Sequence, residues 1–346
     1  MITLLNGNNL MKAVYIKKPG KIELEYLAIP SREKNEVLIK VKEVGICGTE
    51  IAAFNGNSPS FSYPGIIGHE VVGEVIEVEK NNDLRVGDRV VVKPYKYCGS
   101  CYPCKIGKTN CCENLKVLGV QTDGAMKEYL SYPLELVYKI PSTISWTHAT
   151  IIEPLSIALH VVNRAKIEDG QYVVIMGAGT IGNLIAQVII DRGAIPILVD
   201  PLKKRLELAN KMGIKHVINP KSNNLSKYLK LITNYSTVPF VIEASGAIEA
   251  VKESFNIISY AGNIILVGWT KKELSINTSI IIKKELNIRG SRNCTTEFDS
   301  AIKLVEKNKI NIEKIITNIV DVEEASDIIK DMAGKPENYM KVVVKF

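Results

Sequence analysis

Apolar and polar residues follow two different rhythms along this chain. Over residues 37–44 and 71–78 they alternate with the period of half-buried strands, interrupted by Gly and Pro, before a turn at Val86-Gly-Asp-Arg-Val90. Met11-Lys-Ala-Val-Tyr opens another strand-like run. The residues before it, Met1 to Leu10, are polar and aperiodic, which places the working start at Met11 or leaves a short flexible extension without a role. Short strands with turn punctuation predict a β-rich, barrel-like first domain. An apolar helix-like run then reaches Glu153-Pro154, where Pro suits the first turn of a helix running to about Lys166. The domain boundary is placed there.

Beyond it, strand and helix patterns take turns. Val173 to Met176 is a short apolar run, Thr180 to Arg192 is apolar at helical spacing, Gly193 stops that helix, and Ile195 to Val199 returns as a buried strand ending on Asp200. The same alternation continues through Leu202–Met212, His216–Ile218, Val238–Glu243, Ile248–Ser259 and Asn263–Gly268. Such alternation predicts an open, doubly wound parallel sheet covered on both faces. From Asn293 onward only helices and a final strand over Tyr339–Phe346 are expected, too little for a third core. The expected division is therefore 1–153, completed by 293–346, and 154–292.

Between the first strand and helix of the second domain lies Gly177-Ala-Gly179-Thr-Ile-Gly182. In a dinucleotide-binding unit the first glycine lets the chain turn, the second lets backbone N–H groups approach a pyrophosphate, and the third lets helix and strand pack closely. The helix N-terminus, at Thr180 and Ile181, then faces the negative charge. Asp200 lies roughly twenty residues further on, where an NAD ribose needs an acceptor. Gln171 to Ile190 carries no charge and is about long enough to span a bilayer. Three glycines at turn spacing, with β-branched residues before them and a helical period after, favour a parallel strand and crossover helix instead.

Composition adds limits. The 346 residues are 46% hydrophobic, enough to bury two cores, and no second long uncharged run or signal peptide is found, so a cytoplasmic protein is expected. The net charge of +7 comes from scattered lysines, which reads as a solvated surface rather than a nucleic-acid footprint.

Five of the seven cysteines lie between Cys98 and Cys112. Cys98, Cys101, Cys104 and Cys112 offer four thiolates on one loop, which completes a closed tetrahedral Zn²⁺ shell and predicts a structural site; Cys111 is a spectator. A second set is dispersed: Cys47, His69, Glu70 and Glu153. Singly, Cys47 reads as a small buried hydrophobe, His69 as a core histidine and Glu153 as a first-turn helix carboxylate. Beside a nicotinamide site they instead make one mechanism, a three-ligand zinc with an open position at which an alcohol is activated for hydride loss.

GICGTE, GHEVVGEV, VGDRV, the four-cysteine loop, EPLSIALH, GAGTIG and EASG stand in the order found in the medium-chain zinc-dependent alcohol and polyol dehydrogenases, which the chain resembles from Met11 to Phe346. The resemblance implies a Rossmann NAD-binding domain and a GroES-like zinc catalytic domain, two zinc ions per chain, a small-molecule alcohol substrate, neither nucleic acid nor membrane as partner, and a homodimer or homotetramer. It implies that Cys47, His69 and Glu153 surround the catalytic zinc, with Glu70 an alternate ligand or supporting carboxylate. Thr49 would bond the substrate oxygen. Gly177, Gly179, Thr180, Ile181, Gly182, Asp200 and Arg205 would bind NAD. Asp200 would repel the 2′-phosphate of NADP, a preference tempered by Lys203, Lys204 and Arg205. Two departures are plain: many members have Asp where this chain has Glu50, and His where it has Ala52, which cannot relay a proton.

A glutamate at the zinc in place of a third cysteine resembles the polyol, sugar and threonine branch. Phe61-Ser-Tyr-Pro-Gly, Lys108–Asn114 and Lys283–Asn293 look most like dehydrogenases that oxidise the C5 hydroxyl of L-galactonate or L-gulonate. Arg289 or Arg292 would then grip the carboxylate, or either is simply a surface arginine. Threonine 3-dehydrogenase, sorbitol-type and sugar-phosphate activities stay open. A zinc-free quinone reductase would have no need of Cys47, His69 and the cysteine loop. A zinc-binding interaction module would need a basic or aromatic platform beside the cysteines, where only Lys105 and Lys108 lie.

Overall fold

The computed structural model describes residues 10–80, 83–270 and 272–346; the expectation for the extension before Met11 falls, but for Leu10, outside them. The chain forms two compact units. One holds the residues up to Glu153 with Val305–Lys307 and Ile316–Phe346, the other Pro154–Leu304 with Asn308–Ile315.

The first unit is built on the strand Glu36–Ile46. Glu70–Glu77 pairs antiparallel on one side of it, and Lys341–Lys345 antiparallel on the other. Tyr129–Pro133 pairs with its first half, and Ile316–Asp321 runs parallel to the last strand at the sheet's edge. A three-stranded sheet of Leu10–Lys18, Lys21–Ala28 and Gly65–Ile66 contributes to the same core, where Val14, Ile39, Ile67, Val75 and Val342 are buried. Along Glu36–Ile46 burial becomes continuous from Glu43 to Ile46. Both faces are covered where the strand delivers Cys47, so that end cannot alternate.

In the second unit six parallel strands lie in the order His216–Ile218, Ile195–Val199, Tyr172–Met176, Val238–Glu243, Ile258–Leu266 and Asn287–Gly290. Numbered along the chain this is 3-2-1-4-5-6, the doubly wound order whose direction reverses beside strand 1. Near-continuous burial of Tyr172–Met176 and Ile195–Val199 follows from having helices on both faces. The uncharged stretch 171–190 is strand, glycine turn and helix, and among the described residues no helix is long and apolar enough to cross a membrane.

Three elements here go beyond the sequence reading: helices Leu225–Thr233 and Thr278–Lys284, and the edge strand Asn287–Gly290. Strand 5 also starts at Ile258, taking the end of the helix expected to reach Ser259. The chain rejoins the first unit later than residue 293. Glu297 and Phe298 are anchored in the second unit, Phe298 being 1% exposed and Glu297 Oε1 lying 2.9 Å from His160 Nδ1.

Candidate active site

Three adjacent strands of the first unit bring the dispersed residues together. Gly45 stands opposite Glu70, and Ile46 opposite Val342, so Cys47, Glu70 and Lys341 meet at one end of the sheet. A Cβ at Gly45 would come within 2.1 Å of Glu70 Oε2, so only glycine leaves room for that carboxylate. Just after the strand, helix Gly48–Phe54 begins with Cys47 as its cap. Glu50 Oε2 accepts the Cys47 N–H at 2.8 Å, which turns the GICGTE segment into a helix start. Glu153 enters from the first turn of helix Ile152–Ala165.

Two ligand sets share His69. Cys47, Glu50 and His69 form one, and His69, Glu70 and Glu153 the other, each with its ligand atoms within 4.8 Å of one another. Glu50, His69, Glu70 and Glu153 are all buried. Glu50 Oε1 lies 2.7 Å from His69 Nδ1, an ion-pair distance, although neither atom makes a well-angled hydrogen bond. Burial alone would raise the Glu50 carboxyl, but His69 and the Cys47 N–H outweigh it and hold it below its ordinary value. Burial favours a neutral ring at His69, but Glu50 and the Cys47 thiol outweigh it and carry the imidazole well above its ordinary value. Burial pushes Glu153 up to about 7, with His69 opposing and Glu70 adding to the rise. Three buried carboxylates around one thiol and one imidazole make a donor set that fits a divalent cation with N, O and S ligands. Thr49 Oγ1 stands 3.7 Å from Cys47 Sγ, at the edge of this set.

Two residues that the sequence reading passed over complete the site. Lys341, 2% exposed, donates to Glu70 Oε1 at 2.5 Å, to Glu70 Oε2 at 2.6 Å and to the Ile46 carbonyl at 3.2 Å. The Tyr95 hydroxyl donates to Glu153 Oε1. Lys341 opens a strand that the sequence marks only as apolar, and Tyr95 lies in a two-residue strand with no pattern of its own, so nothing in their spacing announces a role. Ala52, in helix Gly48–Phe54, is half-buried and offers no titratable group.

The cysteine loop has the geometry of a closed site. The sulfurs of Cys98, Cys101, Cys104 and Cys112 lie within 4.8 Å of one another, and all four cysteines are free of disulfides. Cys101 Sγ is 3.4 Å from Cys104 Sγ and 3.8 Å from Cys112 Sγ. Tetrahedral ligands about 2.3 Å from a zinc ion are about 3.8 Å apart, so the residues fit the metal. The Cys101 N–H points at Cys98 Sγ and, with Ser100, lowers that thiol to about 5. Burial and the neighbouring Cys101 instead push Cys104 up to about 12, since sulfurs this close do not all ionise without a cation. Cys111 is exposed and outside the cluster.

In the second unit each glycine of the turn has separate surroundings. Gly177 has φ +108° and packs on Ser245; a Cβ on Gly182 would meet the Gly177 carbonyl at 1.9 Å; one on Gly179 would meet nothing within 4 Å. The open space at Gly179, the N-cap of helix Thr180–Asp191, is where a pyrophosphate would sit against the N–H groups of Thr180 and Ile181. Asp200 is 3% exposed, its Oδ2 accepting the Ala178 N–H and its Oδ1 the Leu202 N–H, both at 2.8 Å. Arg205 Nη1 stands 3.6 Å from the same carboxylate. The two arginines proposed for substrate are not drawn into a common site. Arg289 Nη1 donates to the Arg164 carbonyl at 2.8 Å, tying the edge strand to a helix end, and Arg292 is exposed.

Comparison with known proteins agrees over both units. Residues 33–142 match the alcohol dehydrogenase GroES-like domain, and residues 180–307 the zinc-binding dehydrogenase domain. An uncharacterized zinc-type alcohol dehydrogenase-like protein of Haemophilus influenzae is 44% identical over 97% of this chain and 99% of its own. The L-galactonate-5-dehydrogenase of Escherichia coli is 37% identical over 89% of this chain and 91% of its own. The crystal structure of the alcohol dehydrogenase RspB from E. coli CFT073, complexed with NADH, superposes with a TM-score of 0.92 at 33% identity, covering 98% of this chain and all (100%) of that one. The chain therefore belongs to the medium-chain zinc-dependent alcohol and polyol dehydrogenases, NAD(P)-dependent oxidoreductases that join a GroES-like domain to a Rossmann-type parallel sheet.

Proposed function

We propose that this dehydrogenase oxidises a secondary alcohol of a sugar acid or polyol with NAD⁺, its best substrate being the C5 hydroxyl of L-galactonate or L-gulonate. The observation that carries the reaction is the pair of ligand sets, buried but for half-buried Cys47, that meet at His69. The likeness to the L-galactonate-5-dehydrogenase supports the sugar-acid assignment.

In this reading Cys47, His69 and Glu153 hold the catalytic zinc, and Cys98, Cys101, Cys104 and Cys112 the structural one. A zinc ion bound at the first site supplies Lewis acidity that favours the ionised alcohol. Oxidation removes a hydride from carbon and a proton from oxygen, and the chain's own work is with the proton. The Thr49 hydroxyl bonds the substrate oxygen and takes its proton first. From there the path leaves by water or a coenzyme hydroxyl, because Ala52 has nothing to offer it. Glu50 fixes the His69 ring, Tyr95 fixes Glu153, and Lys341 neutralises Glu70 so that the carboxylate remains beside the metal without competing for it. Gly179 with the N–H groups of Thr180 and Ile181 receives the pyrophosphate, on a turn that Gly177 makes and Gly182 lets pack closely, while Asp200 and Arg205 receive the adenosine ribose. Arg289 and Arg292 are the candidates for a substrate carboxylate, the first also donating to the Arg164 carbonyl.

The test is NAD⁺ reduction, read as NADH absorbance, with galactonate and gulonate epimers, sorbitol, galactitol, their phosphates and L-threonine. Fast turnover of a hexonate alone is expected. Turnover confined to neutral polyols or threonine would discard the sugar-acid assignment.

A further inference from the structure

The first turn of helix Thr180–Asp191 hides a polar side chain. Asn183 is fully buried, and Leu184, Ile185 and Ala186 follow it into the core. A buried amide is costly unless its polar atoms are bonded, so the destination of its N–H groups carries information.

They go to the glycine turn. Asn183 Nδ2 donates to the Ala178 carbonyl at 2.7 Å and to the Gly179 carbonyl at 3.0 Å. The Asn183 backbone N–H makes the ordinary helical bond to the same Gly179 carbonyl, also at 3.0 Å. Gly179 is the N-cap, so its carbonyl is the first that the helix itself satisfies. The Ala178 carbonyl lies one residue earlier, and the Asn183 side chain supplies the donor that the helix does not. From the other side Asp200 Oδ2 accepts the Ala178 N–H at 2.8 Å. Residue 178 is therefore held at both of its peptide groups by buried side chains.

The peptide bonds of this turn are trans, and a planar trans peptide carries its C=O and N–H on opposite sides. Drawing the Ala178 carbonyl toward Asn183 turns the Gly179 N–H away from it. Drawing the Gly179 carbonyl the same way turns the Thr180 N–H away. These are donors that open the helix, beside a glycine whose absent Cβ would meet nothing within 4 Å. We propose that Asn183 is a positioning residue for the coenzyme's diphosphate, its carboxamide locking from inside the fold the two peptide planes that present N–H groups to the phosphate oxygens. The proposal rests on the dinucleotide reading of the crevice. Asn183 acts on how well those donors are aimed, not on how many there are, and donors fixed beforehand lose less freedom on binding.

Asn183→Leu is close in size, keeps the backbone bond to the Gly179 carbonyl and removes both amide donors. The full chain is titrated with NAD⁺ and ADP by calorimetry, and with the weaker ligand adenosine by ligand-observed NMR. Adenosine has the same base and ribose and no phosphate. NAD⁺ and ADP should each weaken by about tenfold in the variant, while adenosine binds as it does to the wild type. Asn183→Ala, which adds no bulk, carries the same expectation should the leucine variant not fold. Equal weakening of all three ligands, the result of a merely structural role, or unchanged affinity for NAD⁺ and ADP would overturn the assignment. A wild-type chain that bound neither NAD⁺ nor ADP would remove the dinucleotide reading itself, and the role of Asn183 with it.

Discussion

Lys341 shows how much one buried residue carries at this site. Its ammonium neutralises Glu70 in a place where neither group meets water, with both side chains at most 2% exposed. Burial opposes the charged lysine, but Glu70, Cys47 and Glu50 outweigh it and raise Lys341 above its ordinary value. Two charges taken out of water contribute little to net stability, yet removing one leaves the other uncompensated. Lys341→Met should therefore cost about 3–5 kcal/mol in urea unfolding. A loss below about 1 kcal/mol would contradict the view that Lys341 is the needed counter-charge of a buried Glu70. The pair was not legible in the sequence, because Lys341 lies 271 residues from Glu70 and reads as an ordinary lysine opening a strand. The three glycines were legible from their spacing alone, and Gly182 does pack on Gly177, whereas Cys47 and His69 were grouped only through the family resemblance because each reads locally as an ordinary core residue.

At the scale of elements, helix Ile152–Ala165 is held in the second unit by a polar staple. Glu297 Oε1 receives His160 Nδ1 at 2.9 Å and Asn163 Nδ2 at 3.2 Å, and Oε2 receives the N–H groups of Thr295 and Thr296 at 2.7 and 2.9 Å. Burial would raise this carboxyl, but these donors outweigh it and hold it at about 2 against an ordinary value of 4.5. The fold thus favours the ionised form. Its contribution is whole above about pH 4.5 and is lost as the pH falls through about 2. At about 1.4 kcal/mol for each unit, the total is about 3 kcal/mol. Acid should consequently destabilise the wild type more steeply than Glu297→Gln when urea unfolding is followed from about pH 5.5 to about pH 3. Parallel curves would contradict the staple. It also explains why the return to the first unit was misplaced in the sequence reading. Residues 298–306 have the pattern of an amphipathic helix, which says that one face is buried but not against which core. Edge strand Asn287–Gly290 escaped notice for a related reason, being almost wholly exposed and thus without a period.

We read the whole molecule as a zinc-dependent enzyme whose two metal positions do different work. The four-cysteine loop would close a coordination shell with its own sulfurs, whereas the His69 cluster mixes a thiol, an imidazole and carboxylates and stands next to Thr49. Substituting Cys47 therefore touches only one metal and lies outside the glycine turn. The most direct measurement is zinc content, turnover and NAD⁺ affinity of the wild type beside Cys47→Ser. About two zinc ions per chain are expected in the wild type and about one in the variant, with turnover abolished and NAD⁺ affinity retained. A variant that keeps wild-type turnover with one zinc fewer, or a wild type fully active without metal, would contradict this reading.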